Sequence, residues 1–294
     1  MIKPDSTKQV YLPKLPKMKQ SPFILFLACI LCLGMSACKK DNLLSEFETT
    51  FDLAGKQAIG DELTADANEI MDEAIESQGL SGAREPLVSN GTSSCATITV
   101  SPGAFPKTIT LDFGTTGCSS GIRPVIRRGI IRIVVSDSIR RPGSTAVMTF
   151  DNYYVNNYKK EGTITWTNTS TPGVRRWNRV VANGQITSPQ GAVWNHNSNK
   201  TITQVAGMNT PRVLLDDAFT IEGSGTVTNP AGNTRTVTIL TPLHKMVSCA
   251  HIDAGTKRHD GPNHYAIIDF GNGVCDNQAT ISINGQPPRT ITLP

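Results

Sequence analysis

The chain contains Ser94-Cys95-Ala96 and, after a loop, Asp112-Phe113-Gly114-Thr115-Thr116-Gly117-Cys118. It repeats this stretch as Ser248-Cys249-Ala250 and Asp269-Phe270-Gly271-Asn272-Gly273-Val274-Cys275. Both copies fit S-C-A…D-F-G-x-x-x-C, with 22 residues between the cysteines in the first copy and 25 in the second. Four cysteines allow three pairings, and the duplication favours Cys95–Cys118 and Cys249–Cys275. We therefore predict two β-hairpins, each closed by its own disulfide, worth roughly 3 kcal/mol in the chain-entropy view.

The Asp-Phe-Gly triplet of each copy has a structural interpretation. We expect the phenylalanine to point inward, the glycine to permit the turn and the aspartate to bond turn amides. The same triplet occurs in protein kinases, but that assignment also requires a glycine-rich nucleotide loop and a His-Arg-Asp catalytic loop. Neither is present in this sequence.

The chain around the hairpins has the pattern of β-structure. Runs rich in Thr, Val and Ile alternate with Gly, Asn and Pro turns, and Thr108–Phe113 alternates apolar and polar residues. Strands at this spacing without intervening helices pair antiparallel. We predict an all-β fold over residues 95–294, a large antiparallel meander or sandwich, as one domain or two modules. The twelve candidate strands are Ala96–Val100, Thr108–Phe113, Arg128–Val135, Ala146–Val155, Glu161–Thr167, Trp177–Val181, Lys200–Val205, Phe219–Asn229, Arg235–Leu240, Tyr265–Phe270, Ala279–Ile283 and Thr290–Leu293.

A short helical segment is predicted before the β-domain, at residues 51–80. Its apolar residues recur at spacings of three and four, which lines one helix face. They are Ile59, Leu63, Ala67, Ile70, Met71, Ala74 and Ile75. Gly60 and Thr64-Ala65-Asp66 suggest two helices, flanked by a tether at 38–50 and a linker at 81–94. We expect the apolar face to pack on the β-domain, while binding of a partner is the alternative.

The first 37 residues have the pattern of a secretory signal. An unbroken apolar run, Phe23–Leu33, follows several lysines and precedes Met35-Ser36-Ala37-Cys38. The run is shorter than the ~20 apolar residues that span a bilayer, which disfavours a transmembrane helix. Met18 begins a complete, shorter signal of the same kind.

The stretch Met35-Ser36-Ala37-Cys38 resembles the lipobox of bacterial lipoproteins. With the acidic helical stretch and the Thr- and Asn-rich β-body, the chain is similar to uncharacterised cell-envelope lipoproteins of the Bacteroidota. The resemblance implies cleavage before Cys38, diacylation of its thiol and anchoring in the outer membrane, facing the periplasm or the cell surface. It carries no functional residues over.

The charge is divided along the chain. After residue 37 the chain has 23 basic and 23 acidic residues and is formally neutral, so we expect no nucleic-acid partner. Residues 41–80 hold 11 acidic residues against Lys56 alone, whereas residues 81–294 carry a basic surplus of eight. The acidic segment either lies against the basic body or forms a separate solvated surface.

Two sets of side chains are candidates for ligand binding. The first set suits an acidic glycan or a lipid phosphate, because guanidinium makes forked bonds to carboxylate and phosphate. Its members are Arg128, Arg132, Arg175, Arg176 and Trp177, with Arg179 beside them. A solvated face is the alternative. The aromatic residues suit a sugar-stacking platform, with core packing as the alternative. They are Tyr153, Tyr154, Tyr158, Trp166, Trp177 and Trp194.

Metal binding and catalysis are not predicted. The histidines and aspartates near the end of the chain could form a metal site. The first copy of the motif has no histidine in its loop, so the fold does not require these residues, and we interpret them as polar loop residues. They are His244, His251, His259, His264, Asp253 and Asp260. A zinc site would need closely spaced cysteines, and no nucleophile motif such as Gly-x-Ser-x-Gly occurs.

The sequence therefore predicts a non-enzymatic envelope protein without a cofactor. It would bind a glycan, a lipid headgroup or a protein partner. The alternative is a structural or assembly protein, an adhesin or pilin-like subunit that donates the strand Thr290–Leu293 to a neighbouring sheet.

Overall fold

The computed structural model describes residues 40–81, 95–120, 125–210 and 215–293, with side chains from residue 45 onward. The predicted leader, the predicted lipidation site Cys38 and residues 82–94 of the predicted linker lie outside the described residues. The chain divides into two units, Met1–Leu43 and Leu44–Pro294, and the second contains the whole sheet. No helix of the described part combines the length and the hydrophobicity that a membrane span requires.

One antiparallel sheet of fourteen strands makes up the body, which confirms the predicted all-β meander. Each strand pairs with the next along the chain, except that β2 and β3 both pair with β4. The strands are β1 (Thr97–Val100), β2 (Lys107–Asp112), β3 (Cys118–Ser120), β4 (Val125–Val135), β5 (Thr145–Val155), β6 (Tyr158–Asn168), β7 (Arg176–Thr187), β8 (Val193–Ala206), β9 (Ala218–Thr228), β10 (Thr234–Met246), β11 (Ala254–Asp260), β12 (Tyr265–Asn272), β13 (Gln278–Ile283) and β14 (Arg289–Thr292).

A single helix, α1 (Lys40–Ser77), replaces the predicted tether and pair of helices. The break expected at Gly60 is wrong for a packing reason. A Cβ at Gly60 would lie 2.7 Å from the ring of His196, so the missing side chain lets the helix approach the sheet. The helix also begins before residue 51, where its side chains already contact β10 and the β11–β12 turn, for example Thr50 with Arg235.

The helix crosses the strands of the sheet. Its side chains bond to β10 near residue 50, to β8 near residue 57, to β6 at residue 64 and to β4 at residue 66. We call the side of the sheet that it contacts the helix face. The main core lies between the two, and all but one of the seven predicted helix positions are fully buried in it, Ile59 being partly buried. The expectation that this face packs on the β-domain is thus confirmed.

Both predicted disulfide hairpins are present. Cys95–Cys118 closes the β1–β2 hairpin and Cys249–Cys275 closes the β11–β12 hairpin. In each copy the aspartate behaves as expected: Gly114 N donates to Asp112 Oδ1 at 2.8 Å, and Gly271 N donates to Asp269 Oδ1 at 2.9 Å. The phenylalanines are buried and both glycines have positive φ, which an L side chain rarely adopts.

A second, smaller apolar cluster lies at the far end of the helix face. Its buried members come from β10, β12 and β13, and none of the described side chains of α1 belongs to it. Its buried members, hereafter the apolar wall, are Leu243, Ala266, Ile268, Phe270, Ala279 and Ile281.

Two strands were not predicted, and several others are longer than predicted. The missed strands are β3 and β11, while β7, β8 and β10 each extend at least six residues beyond their predicted limits. Asn183-Gly184, a pair typical of turns, lies instead at an irregularity inside β7, where the pairing with β8 shifts between Val181 and Gln185. The additional residues of β8 and the whole of β11 were missed because both carry polar side chains on the face that the fold buries.

Candidate anion-binding site

Four basic side chains are buried on the helix face. They are Lys160 on β6, Arg179 on β7, Lys200 on β8 and Lys257 on β11, hereafter the cationic cluster, with exposed fractions of 1%, 7%, 7% and 7%. Arg179 and Lys200 stand directly opposite each other in the β7–β8 pairing. Like charges placed so destabilise a sheet, and Lys and Arg are almost never fully buried unless paired. Such a breach of the ordinary rules is expected at functional sites.

One carboxylate, Asp61 of α1, serves the whole cluster. Lys200 Nζ donates to Asp61 Oδ1 at 2.5 Å. The same carboxylate acts electrostatically on the other three cations. Asp66 also acts on Lys160, but it is ion-paired with Arg127 of β4. Positive charge therefore exceeds negative charge around the cluster.

Apart from the interactions with Asp61, the contacts of the four cations offset little of their positive charge. Lys160 Nζ donates to Thr64 Oγ1 at 3.0 Å. Three of the four cations lie over aromatic rings, 5.3 to 5.6 Å from the ring centroids. The rings belong to Phe150 for Lys160, Trp166 for Arg179 and Phe270 for Lys257. A ring face attracts a cation by ~0.5–2 kcal/mol, which is less than the several kcal/mol that burial of an ion costs.

The electrostatics of the cluster reflect this imbalance. Burial lowers the pKa of Lys160 to about 7, with the charge of Arg179 adding to the effect and Asp61 and Asp66 opposing it. Burial is also the largest cause that lowers the pKa of Arg179, Lys200 and Lys257. For Asp61, burial works in the raising direction, but Lys200 and His196 hold its pKa well below its usual range.

Several buried polar atoms beside the cluster have no hydrogen-bond partner within the described part of the chain. They are Arg179 Nε, His196 Nδ1, Ser198 Oγ, His259 Nδ1 and His259 Nε2. Burial and the charge of Lys257 lower the pKa of His259 to about 3, so its ring is neutral and offers one N–H donor at neutral pH. A buried polar group without a partner costs ~1–3 kcal/mol. These atoms therefore add donors for a polar ligand.

Strand β9 leaves space next to these donors. Its residues Gly223 and Gly225 stand opposite Lys200 and Ser198 in the β8–β9 pairing. Neither position carries a side chain, so the helix face is lower here than on the strands at either side. A Cβ at Gly225 would lie 2.7 Å from the carbonyl oxygen of Asn197, which shows how closely the two strands approach.

The acidic helix positions the site. Gln57 and Asp61 are one turn apart on α1 and face His196, whose Nε2 is 3.0 Å from Gln57 Nε2 and 3.4 Å from Asp61 Oδ1. Of the two interpretations left open for the divided charge, the structure confirms that the acidic segment lies against the basic body. The ion pairs Asp61–Lys200, Asp66–Arg127 and Glu76–Arg140 hold it there.

The arginines predicted to bind a ligand do not form one patch. Arg128 and Arg132 lie on the face of β4 opposite the helix, where Arg128 stacks on Tyr154 at 3.8 Å. Arg176 projects to that same outer face of β7, paired opposite Thr203, but two strands separate β7 from β4. Arg175 and Trp177 are on the other side: Arg175 donates to Gln204 Oε1 at 3.2 Å, and Trp177 lies against Phe219.

The predicted aromatic platform is divided between core and surface. Tyr153 and Trp194 are buried, and Trp166 donates from Nε1 to Asn68 Oδ1 of the helix at 2.8 Å. Tyr158 and Trp194 line an open groove of about 330 Å³ beside the helix, together with Phe51. For most of these residues the core interpretation is therefore the correct one.

The late histidines serve separate roles. His244 Nδ1 is 2.6 Å from Asp253 Oδ1, His264 contacts Glu46 and Thr50 of the helix, and His259 belongs to the buried face of β11. Interpreting His259 as a loop residue is thus wrong. Among the residues that the structure describes, no group of three or more His, Cys, Asp or Glu side chains is arranged to hold a metal ion.

Sequence reasoning missed the three lysines of the cationic cluster, and it grouped Arg179 with Arg175 and Arg176 rather than with them. Lys257 and His259 lie on the unpredicted strand β11, whose alternation of buried Gly255, Lys257 and His259 with partly exposed residues is regular. The usual signal of a half-buried strand is an alternation of apolar and polar residues. In β11 the buried positions hold glycine, lysine and histidine, so that signal is absent from the sequence.

Comparisons of the chain with models of protein families, with curated proteins and with solved structures find no match.

Proposed function

We propose that this protein is a lipid-anchored envelope protein that binds an anionic ligand in the cationic cluster without acting on it as an enzyme. The observation that carries the proposal is the burial of Lys160, Arg179, Lys200 and Lys257 around the single carboxylate of Asp61. An anion placed among them would offset the desolvation of the cations and accept bonds from the unpartnered donors.

The anchored location rests on independent observations. Met35-Ser36-Ala37-Cys38 has the form of a lipobox, and two disulfides are typical of proteins of oxidising compartments. The mass of the protein extracted from its native membrane tests this part. A chain that starts at an acylated Cys38 supports the anchor, and an unacylated chain contradicts it.

Binding of inorganic phosphate, followed by isothermal titration calorimetry on the purified protein, tests the anion site. We expect Lys200→Met to weaken phosphate binding at least tenfold, because it removes the cation bonded to Asp61. Arg176→Gln is the matched control, since Arg176 lies three residues from Arg179 on the opposite face of β7. Equal affinity in the wild type and Lys200→Met, or a loss in Arg176→Gln alone, would place binding on the outer arginines instead.

The alternative of assembly by strand donation has less support. β14 pairs with β13 of its own chain over four residue pairs, Gln278 to Ile281 with Arg289 to Thr292. Donating β14 to a neighbour would break this pairing and cost the free energy of its hydrogen bonds, whereas anion binding requires no strand to unpair.

A further inference from the structure

We infer that the anion is the head of an amphiphile whose alkyl chain lies along the apolar wall of β10, β12 and β13. The inference rests on the proposed anion site and names its ligand class: a long-chain phosphate or carboxylate.

The cationic cluster and the apolar wall are continuous at Lys257. In the sheet, Lys257 has Ile239 of β10 on one side and Ile268 of β12 on the other. Ile268 in turn pairs with Ile281 of β13. The Lys257 ammonium also lies over the ring of Phe270, a member of the wall, at 5.3 Å. A single row across the sheet thus passes from charge to hydrocarbon without a polar residue between them.

The wall itself is buried, but the apolar side chains around it are partly exposed. Six further side chains pack around it and are only partly buried: Ile221, Ile239, Ile252, Ile283, Ile291 and Leu293. No residue of α1 whose side chain the structure describes belongs to the wall or to this border. An apolar patch beside buried charge suits a ligand with both characters.

Charge complementarity selects this occupant over the alternatives. A small anion would satisfy the cations but leave the border isoleucines in water, and a neutral lipid would cover the isoleucines but leave the cations unpaired. Ile291 on β14 lies three strand spacings, ~14 Å, across the sheet from Lys257 on β11. It pairs with Ala279 of the wall, whereas the row through Ile268 and Ile281 reaches β14 at Arg289. An alkyl chain that leaves a head at Lys257 can follow this row toward the sheet edge.

The test compares octyl phosphate, below its critical micelle concentration, with methyl phosphate on the purified protein. We expect octyl phosphate to bind at least tenfold tighter, equivalent to ~1.4 kcal/mol. Ile291→Thr places a hydroxyl on the partly buried border and keeps the β-branched side chain that suits a strand. We expect it to weaken octyl phosphate alone. Ile126→Thr is the control, at a position on β4 that is 56% exposed. Lys257→Met should weaken both ligands.

The outcomes separate the two proposals. If both phosphates bind equally, the alkyl chain has no site and the inference fails, while the anion-binding proposal stands. If neither binds, the proposed function fails as well. Equal effects of Ile291→Thr and Ile126→Thr would overturn the inference, because the chain would lie elsewhere. The inference would also be overturned if light scattering showed a dimer and Ile291→Thr dissociated it, because the wall would then join two copies of the chain.

Discussion

Replacing Lys160 by methionine should make the protein more stable and a poorer anion binder. Lys160 is 1% exposed, and its ammonium faces Arg179 and His196 from the sheet and Asp61 and Asp66 from the helix. Methionine has a similar length and needs no neutralising partner. Replacing buried ionic groups by apolar residues of similar volume is often neutral or stabilising by ~1–4 kcal/mol.

The magnitude follows from proton linkage. The pKa of Lys160 falls from 10.5 to about 7 on folding, so the unfolded chain binds more protons than the folded one between these two values. At pH 7 this difference destabilises the folded state by up to ~4 kcal/mol. The hydrogen bond to Thr64, worth ~1 kcal/mol, is lost in the variant. We therefore expect Lys160→Met to raise the free energy of unfolding by ~2–3 kcal/mol at pH 7.

The pH dependence has a definite sign. Because the folded pKa is depressed, the penalty is complete below pH 7 and disappears as the pH rises toward 10.5. The gain from Lys160→Met should thus shrink by ~3 kcal/mol between pH 7 and pH 10.

Urea unfolding followed by tryptophan fluorescence at both pH values measures this gain. Lys159→Met is the matched control, because Lys159 is ion-paired with Glu161 on the other face of β6 and should change stability by less than ~0.5 kcal/mol. A variant no more stable than the wild type at pH 7, or a gain that is the same at pH 10, would refute the claim that Lys160 is a buried, destabilising cation.

Three further predictions concern the helix and the ligand. Gly60→Ala should destabilise the protein by ~1–3 kcal/mol, because the new Cβ would meet the ring of His196 at 2.7 Å. Gly55→Ala, whose Cβ would have nothing within 4 Å, should stabilise the protein by up to ~1 kcal/mol. Equal effects of the two substitutions in thermal unfolding would contradict the close contact between helix and sheet at Gly60. Asp66→Asn should cost ~3 kcal/mol, since it weakens the buried pair with Arg127, and a loss below ~0.5 kcal/mol in urea unfolding would mean that this pair does not hold the helix. Sulfate, whose charge is the same at pH 6 and pH 8, should bind more tightly at pH 6, because the anion favours the protonated form of a lysine whose pKa is about 7. Calorimetry showing the reverse order would count against binding in the cationic cluster.

Local sequence patterns were sufficient for the architecture of this protein. The repeated S-C-A…D-F-G-x-x-x-C stretch determined both disulfides, the inward phenylalanines and the aspartate-bonded turns. Apolar alternation determined the antiparallel class of the fold, and a period of three to four residues determined which face of the helix is buried. These features depend on residues that are neighbours in the chain or on covalent bonds, so they can be inferred before the fold is known.

Only the tertiary structure decided which charges are buried. A lysine on a strand is ordinarily solvated, and nothing near Lys160, Lys200 or Lys257 in the sequence says otherwise. Their burial depends on a helix more than ninety residues away from the first of them, which brings Asp61 to Lys200 and covers the helix face. The exposed arginines looked like the binding site because charge density along a chain is visible in sequence. The free-energy cost of a charge depends on its burial, and burial depends on which elements pack over the strand in the folded protein.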